Sequence, residues 1–214
     1  MTFGPATAAP AAGTPATGAR PGRLSPRFLD KGAIFAGYVG IGMAVVIAIA
    51  FALIIPVQTL VFIAAILGGV LIGAYANQRS NRWRPMRRVF GNALWAALVT
   101  GVSLAMLWGI LRLAFVQFDS GATPDGTYIS CQLGPDCTWK RYVADGQGPE
   151  LEAAGVTDGA SFGSYFISSV VVTGGSLMIL FTVAGALVAA GFRSIQKPPE
   201  DAPAPGTFVP RSRS

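Results

Sequence analysis

The sequence predicts an all-α membrane protein, a bundle of four transmembrane helices with a small disulfide-containing exterior loop. Three observations lead to this fold class. Only 12% of the 214 residues are charged, about half the share found in soluble domains, and the mean hydropathy is +0.53. Long uncharged runs occupy much of the chain. The charged residues flank these runs, as the signals that orient membrane helices do.

The first apolar run is too long for a single membrane crossing. From Gly32 to Gln78 there are 47 residues without a charge, and one helix of that length would span about 70 Å. The hydrocarbon core of a bilayer is only about 30 Å thick, so the run must fold back. Its main polar interruption is Pro-Val-Gln-Thr at 56–59, where the proline disfavours helical geometry in the residue before it. We therefore predict helices over 33–55 and 59–77.

An arginine-rich segment follows the second predicted helix. Residues 79–88 contain five arginines, which cannot lie in hydrocarbon. We expect a cytoplasmic loop that contacts the anionic headgroups of the lipid bilayer. The arginines assigned to headgroup contact are Arg79, Arg82, Arg84, Arg87 and Arg88.

Two further helices are predicted over 89–115 and 165–192, with a polar loop over 117–164 between them. Four crossings put both termini on one side of the membrane. The segments predicted on that side hold 13 Lys and Arg residues and three acids, whereas the loop holds two basic residues and seven acids. This segregation predicts a multi-pass protein of the cell membrane with cytoplasmic termini and an exterior loop.

The ends of the chain differ in composition from the membrane domain, which we assign to 32–192. Residues 1–31 are rich in Ala and Pro, and residues 193–214 form a Pro-containing tail. Such segments bury too little apolar surface to offset the entropy of ordering them. Both are therefore expected to be disordered cytoplasmic tails.

Small residues recur at every fourth position in the first three predicted helices. In lipid, where hydrophobic driving force between helices is weak, small residues allow close approach. Ala and Gly are also abundant in this chain, so part of the spacing is compatible with chance; we favour packing faces. Contacts within one chain and contacts between chains both remain open. The residues assigned to packing are Gly40, Ala44, Gly69, Gly73, Gly101, Ala105 and Gly109.

The polar loop contains both cysteines of the chain, Cys131 and Cys137. On the exterior side a disulfide between them is expected. Strand-forming residues on both sides of the turn Gly134-Pro135-Asp136 predict a β-hairpin, which the disulfide would hold together. A redox role is disfavoured because five residues separate the cysteines, not two. A large disulfide-containing loop between helices three and four resembles the layout of tetraspanin-type proteins, although the Cys-Cys-Gly motif of that family is absent.

Arg112 is the one charge within an apolar run. An ionisable residue inside a membrane is a functional candidate. Its position near the outer end of helix three also fits snorkelling to the interface or an ion pair with Asp119, seven residues further on. We favour these structural roles over binding of an ion or substrate.

No catalytic residue, cofactor site or metal site is predicted. The chain has no histidine, which removes the commonest general base and metal ligand. The Gly-x-Ser-x-Gly match at 159–163 therefore lacks a base for Ser161 and is interpreted as accidental. A basic pI also suggests nucleic acid, but these basic residues flank apolar runs, so nucleic-acid binding is not expected.

The expected function is that of a non-catalytic scaffold, assembly factor or accessory subunit, with other membrane proteins or further copies of the chain as partners. The alternative is a small oligomeric transporter or channel subunit. No Asp, Glu or Lys lies within a predicted helix to form a proton relay. However, the glycine pairs Gly68-Gly69 and Gly174-Gly175 would be able to loosen helices two and four.

Overall fold

The computed structural model describes residues 29–51, 59–78, 85–123 and 126–195. Within these ranges the chain is helical and contains no β-strand. The helices are α1 (Lys31–Ile49), α2 (Leu60–Gln78), α3 (Met86–Gln117), α4 (Pro135–Tyr142), α5 (Gly148–Ala153), α6 (Gly159–Tyr165) and α7 (Gly174–Ile195), with π-helical segments at Val143–Gln147 and Phe166–Thr173.

In the described part of the chain, four helical stretches are long and apolar enough to cross a membrane, which confirms the predicted number of spans. They are α1, α2, α3 and the fourth span, Gly159–Ile195, which joins α6, the second π-helical segment and α7. Apart from Thr59, the predicted turn at 56–59 lies outside the described residues, as do Arg79, Arg82 and Arg84. Of the two predicted tails, only 29–31 and 193–195 are described.

The fourth span begins six residues before the predicted start. Asp158 precedes α6, and its side chain accepts a hydrogen bond from the backbone N–H of Ser161. This capping box satisfies backbone donors that a helix start leaves free. The start at 165 was predicted from the beginning of the apolar run alone, whereas the helix begins directly after Asp158, the polar residue that caps it.

The predicted β-hairpin is wrong. Its second arm belongs to α4, which has Pro135 in its first turn, a position suited to proline because no backbone N–H is needed there. Asp136 in the first turn and two basic residues in the last complement the helix dipole. In the described part of the loop, pairing of β type is limited to a single bridge between Ala122 and Tyr128. Pro135 and the charges at the two ends of α4 thus outweigh the local preference for a strand.

The closest helix contact joins α2 and α7. A Cβ atom added at Gly69 would overlap the carbonyl oxygen of Thr182, and one added at Gly73 would lie 2.7 Å from the Cα of Ala186. In the other direction, a Cβ at Gly185 would overlap the carbonyl oxygen of Ile66. The two backbones therefore touch directly along this contact.

The other residues assigned to packing also contact helices of the same chain. A Cβ at Gly101 would lie 3.1 Å from the Cα of Ile179, and one at Gly109 would lie 3.0 Å from Val171. The remaining three pack between helices: Gly40 against Thr100, Ala44 in a cluster with Leu104 and Trp108, and Ala105 against Gly175.

Large aliphatic side chains point away from the bundle. Val46 is 68% exposed and Leu71 is 63% exposed, whereas alanines such as Ala36, Ala97 and Ala186 are fully buried. A protein folded in water places its large apolar residues inside. The reverse distribution fits a bundle that has lipid as its solvent and small residues at its helix contacts.

Gly69→Ala is expected to destabilise the bundle by about 1–3 kcal/mol, because the added methyl group forces the backbones of α2 and α7 apart. The measurement is unfolding of the purified protein in mixed detergent micelles. Gly42→Ala is the matched control, since nothing lies within 4 Å of a Cβ added there. Equal stability of the two variants would contradict the packing described for α2 and α7.

Candidate functional site at the junction of the loop and the bundle

The polar loop rests on the ends of α3 and the fourth span through a hydrophobic cluster of its own. Phe162 and Phe166 of the fourth span are buried there with Leu151 and Val156 from the loop and Val116 from α3. The ring of Tyr142 lies 5.4 Å from that of Phe162. The loop is therefore held as a packed unit on one end of the bundle.

The disulfide predicted from the sequence is formed. Cys131 and Cys137 are bonded, and their Cα atoms lie 5.0 Å apart. The bond ties the extended segment before α4 to the first turn of that helix. Gly121 passes close by with a φ of 75°, and a Cβ added to it would lie 2.6 Å from the Sγ of Cys131. Glycine is required at this crossing for both conformation and space.

Asp119 connects the end of α3 to α4. Its carboxylate accepts hydrogen bonds from the backbone N–H of Gly121 at 2.9 Å and the hydroxyl of Thr138 at 3.0 Å. It also pairs with the guanidinium of Arg141 at 2.7 Å. Arg141 donates further to the carbonyl oxygen of Ala122. Burial tends to raise the pKa of Asp119, but these hydrogen bonds and the charge of Arg141 outweigh it and hold the pKa below its ordinary value of 3.8.

Ser161 has a structural role at the start of α6. Its hydroxyl oxygen accepts a hydrogen bond from the backbone N–H of Asp158 at 3.1 Å, and its own backbone N–H donates to the Asp158 carboxylate at 2.7 Å. The capping residue is Asp158, and Ser161 is its partner three positions on. Backbone hydrogen bonds from Ser161 and Ala160, with that from the serine hydroxyl, hold the pKa of Asp158 below its ordinary value.

Arg112 lies beneath the loop, and its surroundings differ from those expected. Its Cζ atom lies 5.8 Å from the centroid of the Trp108 ring and 5.8 Å from that of the Phe166 ring. Asp119, its expected partner, is paired with Arg141. The Nε atom of Arg112 is buried and has no hydrogen-bond partner among the described residues.

A cleft of about 220 Å³ opens beside Arg112, where α3, α4 and the fourth span meet. Apolar side chains and a few polar groups converge on it, which is the usual make-up of a ligand site. Its lining residues are Arg112, Phe115, Val116, Asp119, Thr138, Tyr142 and Phe166.

The opposite end of the bundle holds two buried amides that the sequence analysis did not single out. Asn92 donates to the carboxylate of Asp30 at 3.0 Å. Asn77 donates to the carbonyl oxygens of Gly73 at 3.1 Å and Val89 at 3.2 Å. The sequence does carry a signal for these contacts between helices: an amide side chain within or beside an apolar run. Of the arginines assigned to headgroups, Arg87 and Arg88 lie in the first turn of α3.

The described residues include no group of three or more His, Cys, Asp and Glu side chains placed to hold a metal ion. The four spans make the chain a multi-pass membrane protein. Comparison with protein-family models, curated proteins and solved structures finds no match.

Asp119→Asn is expected to weaken the docking of the loop at neutral pH by about 1–3 kcal/mol, because it removes a hydrogen-bonded ion pair. Since folding lowers the pKa of Asp119, its contribution is present above the unfolded-state pKa and is lost as the pH falls through the folded-state pKa, below 3.8. Hydrogen exchange of loop amides in detergent measures the effect.

Asp145→Asn is the matched control, since Asp145 is an exposed carboxylate of the same loop with no ion pair recorded in the described part of the chain. A difference between the wild type and Asp119→Asn that persists unchanged below the folded-state pKa would contradict the assigned role.

Proposed function

We propose that this chain is a non-catalytic scaffold, assembly factor or accessory subunit of a membrane complex. The observation that supports this proposal best is the direct contact of helix backbones along α2 and α7, where Gly69 and Gly185 each face a carbonyl oxygen of the other helix. A bundle closed in this way has little room between these helices for a solute. Its outer surface, by contrast, is available to lipid and to other proteins.

The alternative of a small oligomeric transporter or channel subunit has less support. The glycine pairs that would loosen helices two and four are packing positions instead: a Cβ at Gly174 would lie 2.9 Å from the Trp108 ring. The buried hydroxyls of Thr100 and Thr182 donate to carbonyl oxygens of their own helices at 2.8 and 2.7 Å. Such bonds leave few polar groups to replace the water around a solute.

An enzyme is also disfavoured. Ser161, the one serine in a hydrolase-like motif, is engaged in capping α6, and the chain has no histidine to activate it. Two acids of the loop, Asp119 and Asp136, are paired with Arg141 and Lys140. These groups stabilise the loop and are not arranged as a catalytic pair.

The proposed location is the cell membrane, with both termini in the cytoplasm and the loop at 117–164 outside. The 13 basic residues on one side and the seven acids in the loop support this orientation. The arginines of 79–88 would then contact anionic headgroups of the cytoplasmic leaflet.

Single-cysteine labelling tests this orientation, because both native cysteines are consumed in the disulfide. A membrane-impermeant maleimide added to intact cells is expected to label Ala154→Cys, an exposed loop position. It is expected to leave Ser80→Cys and Ser212→Cys unlabelled until the membrane is permeabilised. Labelling of Ser80→Cys from outside would overturn the proposed topology.

Purification in mild detergent tests the proposed role. A tagged chain produced at its native level is expected to bring down another membrane protein in a fixed stoichiometric ratio, measured by native mass spectrometry. Cells carrying the untagged chain control for carry-over. A pure homo-oligomer that conducts or exchanges a solute in liposomes would refute the scaffold proposal and favour the transporter.

A further inference from the structure

The guanidinium of Arg112 lies against two aromatic rings of the protein. The two rings that it contacts belong to Trp108, 6% exposed, and Phe166, 2% exposed. A snorkelling arginine extends past its neighbours to reach the water layer. Here two buried aromatic faces hold the cation from within, so its position is set by the junction of α3 with the fourth span.

Among the described residues, no carboxylate pairs with this cation. Asp119 lines the same cleft as Arg112, but its carboxylate is bonded to Arg141, Thr138 and Gly121. The Nε atom of Arg112 is buried without a hydrogen-bond partner in the described structure. A charge that is partly removed from water normally acquires a counter-charge or hydrogen bonds. In the part of the chain that the structure describes, Arg112 has two aromatic rings beside it and no acidic partner.

The cleft beside Arg112 has room for that anion. Its volume is about 220 Å³, several times that of a water molecule and enough for a phosphate group with part of a glycerol. Phe115, Val116 and Phe166 provide apolar wall, while Thr138 and Tyr142 bring polar groups from α4. The wall therefore suits a molecule with a charged group and an apolar remainder.

The depth of the cleft also fits a lipid headgroup. Arg112 lies five residues before the end of α3 at Gln117, which is about 8 Å along the helix. The polar loop begins directly after that end. Arg112 is thus placed near the boundary between hydrocarbon and headgroups, where phosphate is the most abundant anion. Its planar guanidinium matches two oxygens of a phosphate.

We propose that the cleft between α3, α4 and the fourth span binds a phosphate group through Arg112. The phosphate belongs to an anionic phospholipid of the leaflet on the loop side, with free phosphate as the other source of the same chemistry. Aromatic side chains hold the guanidinium in place, and the Arg141–Asp119 pair keeps the nearby carboxylate neutralised. The site is separate from Arg87 and Arg88, which lie at the other end of α3, and it does not depend on the scaffold role.

Native mass spectrometry of the detergent-purified full chain tests this site with three probes: phosphatidylglycerol, diacylglycerol with the same acyl chains, and inorganic phosphate. Of the phosphatidylglycerol bound by the wild type, one molecule per chain is expected to depend on Arg112. Arg112→Gln is expected to bind it about tenfold to a hundredfold more weakly, because a charge-assisted bidentate contact is lost. Arg112→Lys, which keeps the charge without the planar fork, is expected to fall between them.

Arg193→Gln is the matched control, since it removes the same charge in the last turn of α7 and is expected to bind as the wild type does. Competition by inorganic phosphate that depends on Arg112 would support the phosphate site and identify free phosphate as an alternative ligand. Equal binding of phosphatidylglycerol by the wild type and a folded Arg112→Gln would overturn the proposal. Equal binding of diacylglycerol and phosphatidylglycerol would overturn it as well.

Discussion

Direct contact between the backbones of α2 and α7 determines how the other helices are arranged. In lipid, helices gain little from burying apolar side chains, so close van der Waals packing has to hold them together. Gly69 and Gly73 on α2, with Gly185 on α7, remove the side chains that would keep the backbones apart. Once these helices are joined, α3 packs on α7 and α1 packs on α3. Large side chains are left for the outer face, where lipid surrounds them.

The same packing places the ends of α3 and the fourth span side by side, and the loop is built on that pair of ends. Val116 of α3 and Phe166 of the fourth span share one hydrophobic cluster with Leu151 and Val156 of the loop. Asp119 then fixes α4 to the end of α3. A loop of this length would have a large conformational entropy if it were free. Two anchoring helix ends, one disulfide and one partly buried ion pair reduce that freedom.

The number of spans was predictable because hydropathy and charge act over many residues and agree with each other. The disulfide was predictable from two cysteines and a short spacing. The conformation of 138–142 was not, because strand preference is a weak local effect and Pro135 with the helix-terminal charges decides the outcome. The partner of Asp119 was not predictable either. The sequence places Arg112 on the same helical face, yet the fold brings Arg141 to the carboxylate from 22 positions away.

The fold of the loop and the state of Arg112 are therefore coupled. The folded loop pairs Asp119 with Arg141, so Arg112 has no acidic partner among the residues that the structure describes. The loop also forms one wall of the cleft beside Arg112. A phosphate bound there would contact α3 directly and would lie against α4 and the fourth span. Since an unfolded loop would lack that wall, binding would favour the docked loop by mass action. Arg112 would then link the membrane lipid to the order of the polar loop, which neither its helix nor its charge alone could do.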